Sequence, residues 1–420
     1  MKEIIKKLVP QFVLSWYHLS LAFLGAVIYS FPSKKIKVIG VTGTNGKTTT
    51  VNLTARVLEE AGFKVAALSS IKFKINSKEK ENVLRMTMPG RFKIQKFLRE
   101  AVAAGCQYAV LEVSSEGIKQ HRHKFIDFDA AVFTNLTPEH IEAHKGFENY
   151  KRAKGELFKA AKEIHIINAD DKSAEYFLSF PSKGKFLYGL NESTRENFVL
   201  AQNIETNDSG ISFEVRGVLF NLKLLGAFNI YNSLAAICVG LWQGVDFETS
   251  SRALAKANLI PGRMEEVISS PFKVFVDYAF TPAALEKVYQ SLKPKEGKMI
   301  AVLGACGGGR DKWKRPVLGE IAARFCDEII ITNEDPYDEE PEKIMEEVAD
   351  GVKNYKLQTT NYKLIVDRRE AIREAMKLAE PNDVVVITGK GCEPWIFVKG
   401  GKKIPWDDRQ IVREEFTRLN

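Results

Sequence analysis

From residue 37 onward, short apolar runs alternate with longer amphipathic stretches. The apolar runs are rich in β-branched residues, which favours buried strands. Five strands are predicted in the first half of the chain, at residues 38–42, 65–68, 108–113, 130–133 and 164–167. The amphipathic stretches between them, such as residues 48–61 and 92–104, are predicted as helices. Apolar strands that alternate with helices are typical of a parallel sheet covered by helices.

Residues 185–225 break this alternation. Short runs at residues 197–200, 211–215 and 218–224 alternate polar and apolar positions, with turn residues between them. This pattern predicts a small antiparallel appendage, and a helical run at residues 229–244 follows it.

A second series of strands and helices follows Pro261-Gly262-Arg263, a run that is typical of a linker. Its predicted strands are residues 273–276, 299–303, 328–332, 363–366 and 384–388. The predicted fold class is therefore α/β: a central domain with a parallel sheet and the small antiparallel appendage, then a Rossmann-like C-terminal α/β domain. The predicted domains are residues 1–36, a short hydrophobic N-terminal segment, residues 37–260 and residues 261–420.

The N-terminal segment contains no Asp, Glu, Lys or Arg between residues 8 and 33, and it follows Lys2, Lys6 and Lys7. Its length suits a membrane helix, and its basic start imitates a signal peptide. Polar residues cluster in its first half, namely Gln11, Ser15, His18 and Ser20, together with Pro10. We therefore predict a helix that packs on the protein. A contact between the two subunits of a dimer is one place where such a helix would pack. A membrane-surface or membrane-inserted anchor is the alternative.

Composition narrows the class of protein. A chain of 420 residues with 45% hydrophobic content can bury more than one core, which predicts two or three domains. The net charge of +8 is spread along the chain and suits anionic small substrates, and no nucleic-acid-binding motif is present. The five cysteines form no Cys-x-x-Cys pair, which argues against a disulfide framework or a zinc knuckle and for a reducing cytoplasm.

A glycine-rich loop, Gly43-Thr44-Asn45-Gly46-Lys47-Thr48, lies between a predicted strand and a predicted helix. Backbone N–H groups at such a junction converge on a phosphate, and the helix dipole adds partial positive charge. Lys47 is placed to reach the β- and γ-phosphates, and Thr48 to bind Mg²⁺. The strict P-loop pattern requires glycine at position 41, where Val41 stands, so the match is incomplete. Because strand, loop, Lys-Thr pair and helix occur in order, we expect a P-loop central domain that binds ATP.

Further short motifs follow this loop in order along the chain. They are Thr87-Met88-Pro89, Glu112-Val113-Ser114-Ser115, Gln120-His121-Arg122, and residues 133–140, 150–158, 226–232, 261–265, 277–282, 307–312 and 389–393. Together with residues 40–50, these motifs resemble the Mur ligases, the ATP-dependent amino-acid-adding enzymes of peptidoglycan synthesis. The order of these motifs and the residues in them are most similar to the MurE type, which adds the third residue of the stem peptide. The resemblance extends from about residue 37 to the end of the chain.

The resemblance implies an ADP-forming ligase that joins an acid to an amino acid. ATP phosphorylates a peptide carboxylate, and an amine then displaces phosphate to give an amide. Both steps develop negative charge on phosphoryl and acyl oxygens, which calls for Mg²⁺ or Mn²⁺ and for cationic donors. The implied catalytic residues are Lys47, Glu112, His140 and Lys154. The implied metal ligands are Thr48, Glu112, His140 and Lys154.

Lys154 carries the most specific of these expectations. The matching lysine of MurE-type enzymes is carbamylated, so the resemblance implies a carbamate at Lys154 that helps to hold a second metal ion. Without the resemblance, a lysine in the run Ala-Lys-Gly-Glu would be interpreted as a solvated helix residue. Glu112 and His140 would likewise be interpreted as structural residues.

The resemblance also implies which residues contact the substrates. ATP contacts are implied for Gly43, Thr44, Asn45, Gly46, Lys47, Thr48, Thr49, Asn135, Asn229, Asn232, Arg263 and Asp277. Contacts with the muramyl-peptide acceptor are implied for Thr87, Ser114, Gln120 and Arg122, whose guanidinium suits a carboxylate or phosphate. The structural alternatives are a helix cap for Asn229, core polarity for Asn232 and a surface ion pair for Arg263 and Asp277.

The N-terminal segment departs from the family pattern. MurE-type enzymes carry an N-terminal domain that binds the UDP group. The residues before position 37, in contrast, are hydrophobic and show no nucleotide-binding features. We therefore expect a truncated UDP-binding domain. The alternative acceptor is one without UDP: a lipid-linked cell-wall precursor, a pseudomurein precursor or a poly-amino acid. The uncharged stretch at residues 8–33 favours the lipid-linked version.

A second departure concerns the amino acid. Residues 334–337 are Glu-Asp-Pro-Tyr, where diaminopimelate-adding enzymes carry Asp-Asn-Pro-Arg. Tyr337 thus replaces the arginine that would pair with the distal carboxylate of diaminopimelate. The acidic residues at 334, 335 and 338–340 would better suit an amine-tipped side chain such as lysine, and a solvated acidic turn is the alternative. The implied amino-acid contacts are Glu334, Asp335, Tyr337, Gly389 and Glu393.

Three further positions lack a histidine that the family usually has: Glu116, Phe280 and Cys392. Cys392 is expected to be a small buried thiol without a catalytic role. None of these changes affects the phosphate loop or the implied metal ligands.

The leading hypothesis is a MurE-like amide ligase that acts on a muramyl-peptide-type precursor. A non-catalytic ATP-binding scaffold is the alternative from another class. The residues that argue against it are all retained: Lys47, Thr48, Glu112, His140 and Lys154. The expected partners are a small-molecule or lipid-linked cell-wall precursor and a free amino acid, without nucleic acid. A monomer or homodimer in the cytoplasm is expected, with contact at the inner membrane face through residues 8–33 as an option.

Overall fold

The computed structural model describes residues 10–84, 86–355 and 361–419. The described residues divide into two compact units. The first contains the chain up to Pro138 together with Phe147–Lys223 and Phe228–Ala257. The second contains Glu139–Gly146, Leu224–Ala227 and the chain from Asn258 onward, so neither unit is one continuous segment.

The regular elements are numbered here in chain order. The strands are β1 (Lys37–Thr42), β2 (Val65–Leu68), β3 (Lys72–Ile75), β4 (Lys78–Glu81), β5 (Tyr108–Glu112), β6 (Ala130–Phe133), β7 (Ile164–Asn168), β8 (Gly184–Gly189), β9 (Phe198–Leu200), β10 (Gln202–Asn207), β11 (Gly210–Val215), β12 (Val218–Leu222), β13 (Glu265–Ile268), β14 (Lys273–Asp277), β15 (Met299–Leu303), β16 (Glu328–Thr332), β17 (Asn361–Ile365), β18 (Val384–Thr388), β19 (Trp395–Val398) and β20 (Lys402–Pro405). The helices are α1 (Gln11–Ile28), α2 (Lys47–Glu60), α3 (Arg91–Ala103), α4 (Ser115–Lys119), α5 (Ile141–His144), α6 (Phe147–Ala160), α7 (Ala174–Leu178), α8 (Phe228–Trp242), α9 (Phe247–Ala255), α10 (Pro282–Leu292), α11 (Lys314–Phe325), α12 (Pro341–Tyr355), α13 (Arg368–Leu378) and α14 (Asp408–Leu419). Short 3-10 helices cover Pro32–Lys35 and Lys399–Gly401.

The first unit is built on a nine-stranded sheet with the order β4-β3-β2-β5-β1-β6-β7-β8-β9. Strands β2, β5, β1, β6, β7, β8 and β9 run parallel, and β3 and β4 form an antiparallel hairpin at one edge. The central strand β1 pairs Val41 with Glu112 of β5 and Thr42 with Phe133 of β6. The carboxyl ends of three neighbouring strands therefore meet, which is where parallel α/β sheets place their ligands.

The parallel, helix-covered sheet confirms the pattern read from the sequence, and one local prediction is wrong. Residues 197–200 were expected in the antiparallel appendage, but β9 pairs in parallel with β8 at the edge of the large sheet. The appendage consists of β10, β11 and β12, which form a separate antiparallel sheet. Short edge strands carry too little alternation to reveal their pairing partner, since that partner is set by tertiary contacts.

The second unit contains a six-stranded sheet with the order β13-β14-β18-β15-β16-β17. All pairings are parallel except that of β13 with β14. Strands β15 and β18 are buried throughout, as continuous apolar runs predict. The sheet and the helices that follow its strands confirm the expected α/β series, and β19 pairs with β20 in a separate hairpin.

The N-terminal segment forms helix α1, which packs against α3 within the first unit. The side facing α3 carries Ala22, Gly25 and Ala26, and a Cβ at Gly25 would lie 3.6 Å from Cα of Phe92. Small residues on this side therefore allow the two helices to approach closely. Among the described residues, no helix combines the length and the apolar character needed to cross a bilayer.

Candidate active site

The phosphate loop connects the carboxyl end of β1 to the first turn of α2. Gly43 and Gly46 adopt φ angles of 151° and 81°, which side chains disfavour. A Cβ at Gly43 would lie 1.9 Å from Oγ1 of Thr134, and one at Gly46 would lie 2.3 Å from Oδ1 of Asn232. Both glycines are therefore required by the close approach of neighbouring side chains. Because the loop precedes α2, the positive end of the helix dipole faces the loop. No acidic residue in the first turn of α2 offsets this charge.

Residues that follow β6 hold the loop in place. The backbone N–H of Asn45 donates to Oδ1 of Asn135 (3.0 Å), and Nδ2 of Asn135 donates to the carbonyl of Asn45 (3.0 Å). The N–H of Thr44 donates to the carbonyl of Asn135 (2.8 Å), and its Oγ1 lies 3.1 Å from the hydroxyl of Tyr150. Asn135 thus shapes the loop through a reciprocal pair of hydrogen bonds. Lys47 donates to the carbonyl of Thr44 (2.7 Å), which keeps its ammonium over the loop.

Glu112 is buried at the carboxyl end of β5, beside the loop. Its Oε2 accepts hydrogen bonds from Oγ1 of Thr48 (2.9 Å) and from both the backbone N–H (2.8 Å) and Oγ (3.0 Å) of Ser70. Oγ of Ser70 also lies 2.9 Å from Oγ1 of Thr87, an implied acceptor contact. One carboxylate and the hydroxyls around it supply the oxygen donors that Mg²⁺ prefers, so these residues fit the ion. Among the described residues, no three His, Cys, Asp or Glu side chains converge as a metal-binding group.

Lys154 is buried in helix α6, with 1% of its surface exposed. Its Nζ donates to the carbonyl of Gly43 (2.6 Å) and lies 4.5 Å from the ring centre of Tyr150. Burial lowers the pKa of this amine well below its usual range, and the charge of Lys47 lowers it further, while Glu112 opposes the shift. Lys154 is therefore not the solvated helix residue that its local sequence suggests.

His140 precedes α5 and has a φ angle of 56°. It belongs to the second compact unit, whereas Glu112 and Lys154 belong to the first. Its neighbour Glu139 is buried and accepts a hydrogen bond from the buried Nζ of Lys314 (2.9 Å) within the second unit. His140 therefore follows a residue that is fixed by an ion pair.

Asn229 and Asn232 lie on α8, which packs against α2. Nδ2 of Asn232 donates to Oδ1 of Asn229 (2.8 Å), and Oδ1 of Asn232 accepts from the hydroxyl of Thr50 (3.3 Å). Both asparagines are buried, and Asn232 also lies against Gly46. The amides thus connect α8 to the base of the phosphate loop. Thr49, the next implied ATP contact, is buried in the first turn of α2.

Asp277 and Arg263, the two implied ATP contacts of the second unit, lie near each other at the end of β14. Asp277 is buried and accepts from the N–H groups of Met264 (2.7 Å) and Ala279 (2.6 Å). Burial raises the pKa of its carboxyl group, and Arg263 opposes this shift. The guanidinium of Arg263 lies 4.4 Å from the ring centre of Tyr278. Because Asp277 is buried, a pair on the open surface does not describe these residues.

The implied acceptor residues lie around α4. Oγ of Ser114 accepts from the N–H of Gly117 (3.2 Å) and caps this helix. Arg122 donates to Oε1 of Gln120 (2.8 Å) and to the carbonyl of Met88, so its guanidinium joins two segments. Burial, and secondly the charge of Arg91, lower the pKa of Arg122 to about 10. Arg91 itself donates to the carbonyl of Gln120 (2.5 Å). Two guanidinium groups therefore lie in this region, which suits an anionic acceptor.

The implied amino-acid residues of the second unit form a charged cluster. Oδ1 of Asp335 accepts from Nζ of the buried Lys390 (2.9 Å) and from the N–H of Phe397 (2.8 Å). Lys390 also donates to Oε2 of Glu393 (2.8 Å), whose Oε1 accepts from the hydroxyl of Tyr278 (2.8 Å). The ring of Tyr337 stacks on Phe397, with the centres 5.2 Å apart. Lys390 thus neutralises part of the acidic charge.

Glu334 is the acid of this cluster whose carboxylate is only partly hydrogen-bonded. Its Oε1 accepts from Sγ of Cys306 (2.7 Å), whereas its buried Oε2 has no hydrogen-bond partner among the described residues. A Cβ at Gly389, whose φ is 104°, would lie 2.4 Å from this Oε2. The carboxylates of two other acids of the same turn are already hydrogen-bonded within the protein. Asp338 accepts from the N–H of Gly400, and Glu339 accepts from Arg315. Glu334 therefore differs from these two acids, because its buried Oε2 can still accept a hydrogen bond from a ligand.

Cys392 behaves as expected of a structural thiol. It is partly buried, and its Sγ donates to the carbonyl of Pro261 (3.3 Å). Burial raises the pKa of this thiol, which disfavours a reactive thiolate.

Comparison with known proteins identifies the family. The Mur ligase middle domain matches residues 41–240, and the Mur ligase, glutamate ligase domain matches residues 262–391. A UDP-N-acetylmuramoyl-L-alanyl-D-glutamate–2,6-diaminopimelate ligase from Syntrophomonas wolfei is 39% identical over 404 residues, which cover 94% of this chain and 81% of that protein. The chain belongs to the Mur ligase family.

Other Mur ligases support the same assignment. A UDP-N-acetylmuramyl-tripeptide synthetase from Roseiflexus sp. is 36% identical over 423 residues, covering 95% of this chain and 82% of that protein. A solved 2,6-diaminopimelate ligase structure has a TM-score of 0.62 at 29% identity and covers 91% of this chain and 79% of that one. A pseudomurein peptide ligase type C from Methanothermus fervidus shares the fold, with a TM-score of 0.67 at 20% identity over 92% of this chain and 79% of that one. As a Mur ligase, the chain is an ATP-dependent ligase that forms an amide bond, and enzymes of this family use ATP with Mg²⁺.

The candidate site residues have neighbours that the sequence did not single out. Ser70 donates hydrogen bonds to Glu112, and Arg91 donates one to the backbone carbonyl of Gln120. Lys390 forms an ion pair with Asp335. Lys390 stands inside the quoted motif at residues 389–393, so that motif could have indicated it. Ser70 and Arg91 carry no comparable local signal.

Proposed function

We propose that this Mur ligase joins an amino acid to the peptide carboxylate of a muramyl-peptide-type cell-wall precursor. The observation that carries the proposal is the phosphate loop, with Glu112 bonded to Thr48 on one side and Lys154 bonded to Gly43 on the other. A carboxylate and a buried amine therefore lie beside the loop that would bind the transferred phosphate. We retain residues 37–260 and 261–420 as the two proposed catalytic domains.

In the first step, an oxygen of the acceptor carboxylate attacks the γ-phosphorus of ATP, and ADP leaves. In the second, the neutral amine of the amino acid attacks the acyl carbon, phosphate leaves, and the nitrogen loses a proton. Lys47 stabilises the negative charge on the β- and γ-phosphates. A bound Mg²⁺ would neutralise phosphate charge, and Thr48, Glu112 and His140 are its proposed ligands.

The proposed nucleotide contacts are those implied by the family motifs. The backbone of residues 43–48, with Thr49, would surround the phosphates. Asn135, Asn229 and Asn232 would act near the rest of the nucleotide, and Arg263 and Asp277 would contribute from the second unit. The hydrogen bonds of Asn135 to both polar groups of Asn45 support a role in shaping the loop as well.

We propose that Lys154 works as a carbamate. Its neutral amine would add to the carbon of CO₂, with formation of an N–C bond and release of a proton, to give a carboxylate. The lowered pKa of Lys154 supports this step, because only the neutral amine is nucleophilic. The negative product would then face Lys47 and complete the oxygen ligands for a metal ion.

For the acceptor, we propose contacts from Thr87, Ser114, Gln120 and Arg122. The two guanidinium groups of Arg91 and Arg122 support an anionic group here. A lipid-linked precursor is the second candidate. One observation favours it: Oγ of Ser15, on the apolar helix α1, lies 2.7 Å from Nε2 of His121, between Gln120 and Arg122 in the chain.

For the amino acid, we propose a substrate with a distal amine such as lysine, bound by Glu334, Asp335, Tyr337, Gly389 and Glu393. The buried Oε2 of Glu334 supports this proposal, since a substrate ammonium would supply the missing donor. Tyr337 offers a stacked ring where a distal carboxylate would need a cation. We also propose a cytoplasmic location, where ATP is supplied.

The test is a screen for ADP release by the full-length protein. UDP-linked and lipid-linked muramyl dipeptides are each combined with lysine, diaminopimelate, ornithine or glutamate. The expected result is ADP release that requires both an acceptor and one amino acid, with lysine preferred, and none from Lys47→Ala. Absence of acceptor-stimulated ADP release with every combination would instead support an ATP-binding scaffold.

A further inference from the structure

Helix α1 is predominantly apolar, but only one side of it is covered by protein. The opposite side exposes large side chains, each between 42% and 68% accessible: Phe12, Val13, Trp16, Tyr17, Phe23, Leu24, Val27 and Ile28. With 3.6 residues per turn, they cover about half of the helix circumference. We call these eight side chains the α1 apolar face. An apolar face of this size, which includes the exposed Ser20 as a polar residue, marks an interaction site, whereas single exposed apolar residues do not.

The charges around α1 identify the kind of partner. After Glu3, the next acidic residue in the sequence is Glu59. The interval contains only basic charges: Lys6, Lys7, Lys34, Lys35, Lys37, Lys47 and Arg56. Lys34 and Lys35 are exposed and follow Ile28, the last residue of the α1 apolar face, by six and seven positions. Apolar side chains followed by exposed lysines, in a stretch of sequence without acidic residues, match a lipid surface that has apolar chains beneath negatively charged headgroups.

We propose that the α1 apolar face docks the enzyme on an anionic lipid surface. Trp16 and Tyr17 on this face are the residue types that favour the boundary between headgroups and acyl chains. The small side chains of Ala22, Gly25 and Ala26 hold the other side of the helix against α3. The helix therefore lies along the surface, with one side on the protein and the other in the lipid.

A second copy of the chain is a poorer match for this face. Pairing two α1 helices would bring their flanking lysines toward one another, and no acidic residue between positions 4 and 58 could offset that repulsion. An anionic lipid surface supplies the missing negative charge instead.

Docking through α1 has a consequence for the acceptor, and this consequence alone rests on the proposed function. The helix is tied to the acceptor segment by Ser15, which bonds to His121, and by Phe23, whose ring centre lies 5.3 Å from that of Phe125. A docked α1 would therefore hold the segment of Gln120 and Arg122 close to the lipid headgroups. A lipid-linked acceptor could then be reached without leaving the bilayer.

The experiment is co-sedimentation of the full-length protein with phosphatidylcholine vesicles, with or without phosphatidylglycerol. The expected result is binding to the anionic vesicles that is at least about tenfold stronger than to phosphatidylcholine alone and that weakens as salt is raised. The double variant Phe12→Ser/Trp16→Ser should lose at least about tenfold in vesicle binding. Lys34→Glu/Lys35→Glu should lose the preference for the anionic lipid.

The matched control is Leu219→Ser/Leu364→Ser, which removes two exposed apolar side chains elsewhere and should bind like the wild type. Equal vesicle binding by wild type and Phe12→Ser/Trp16→Ser would overturn the proposal. So would a wild-type protein that ignores vesicles and sediments as a dimer that the same double variant converts to a monomer. Ligase activity is assayed separately with a soluble acceptor, so its failure would count against the proposed function and leave the docking result intact.

Discussion

At the scale of single residues, burial changes what a side chain can do. Lys154 has an ordinary helical sequence around it, yet its amine is buried between the carbonyl of Gly43 and the ring of Tyr150. A buried ammonium loses hydration, so the neutral amine is favoured and can react with CO₂. The exposed Lys159 on the same helix keeps its proton, because Glu156 raises its pKa. Position within the helix therefore separates a buried lysine from a solvated one.

Replacing Lys154 by alanine should lower the rate of acceptor-dependent ADP release by at least about a hundredfold, because a ligand of the phosphoryl-transfer site is lost. Small added carboxylates such as formate or acetate should restore part of the rate by occupying the space of the carbamate. The measurement is the steady-state rate with and without the added carboxylate. Lys159→Ala is the control and should keep the wild-type rate. Near-wild-type turnover by Lys154→Ala without rescue would rule out the carbamate.

At the scale of elements, a buried ion pair joins the last two helices of the second unit. Arg368 at the start of α13 donates to both carboxylate oxygens of Asp408 at the start of α14, at 2.9 Å and 2.8 Å. The side chains are 1% and 0% exposed. Arg368 also donates to the carbonyl of Thr388 (2.8 Å), which ties both helices to the end of β18. Removing one partner would leave a buried charge without compensation.

Asp408→Asn should therefore lower the free energy of unfolding by about 3–5 kcal/mol, the cost typical of breaking a buried pair on one side. The measurement is urea denaturation followed by circular dichroism. Asp350→Asn provides the matched control, since Asp350 pairs with Lys353 at side-chain exposures of 59% and 53%. Its effect should stay below about 0.5 kcal/mol. Equal losses in the two variants would contradict this account of the α13–α14 contact.

At the scale of the whole molecule, acid stability should depend on a buried histidine of the first unit. His123 is 2% exposed, and neither ring nitrogen has a hydrogen-bond partner among the described residues. Burial, and secondly the charge of Lys124, lower its pKa to about 3, and Glu156 opposes the shift. In the unfolded chain the pKa returns to about 6.5. Between these values the unfolded state binds a proton that the folded state does not.

The stability contribution of neutral His123 is therefore fully present above about pH 6.5 and is lost progressively as the pH falls toward about 3. Its upper limit is on the order of 5 kcal/mol. We predict that His123→Gln flattens the fall in unfolding free energy across this window, as measured by urea denaturation at a series of pH values. Comparison of both proteins at pH 8, where His123 is neutral, isolates the packing effect of the substitution. Parallel pH profiles would contradict the prediction.

The sequence by itself determined the elements whose signal is local. Continuous apolar runs such as β15 and β18 are readable because a strand buried on both faces must be apolar at every position. The phosphate loop is readable because Gly43 and Gly46 stand where only glycine fits, and because Lys47 and Thr48 follow at fixed spacing. The family motifs then implied the chemistry, because they match the motifs of enzymes that catalyse one type of reaction.

Only the tertiary structure decided which side chains are buried and what they meet. Lys154 became a buried amine, β9 joined the large sheet, and Glu334 kept a buried oxygen without a donor, because each outcome depends on segments far away in the chain. The same holds for the apolar N-terminal stretch. Its sequence gave no sign of which side of α1 would be covered, and packing on α3 left the aromatic side exposed. Local patterns fix the type of an element, whereas burial and charge environment arise from contacts between elements.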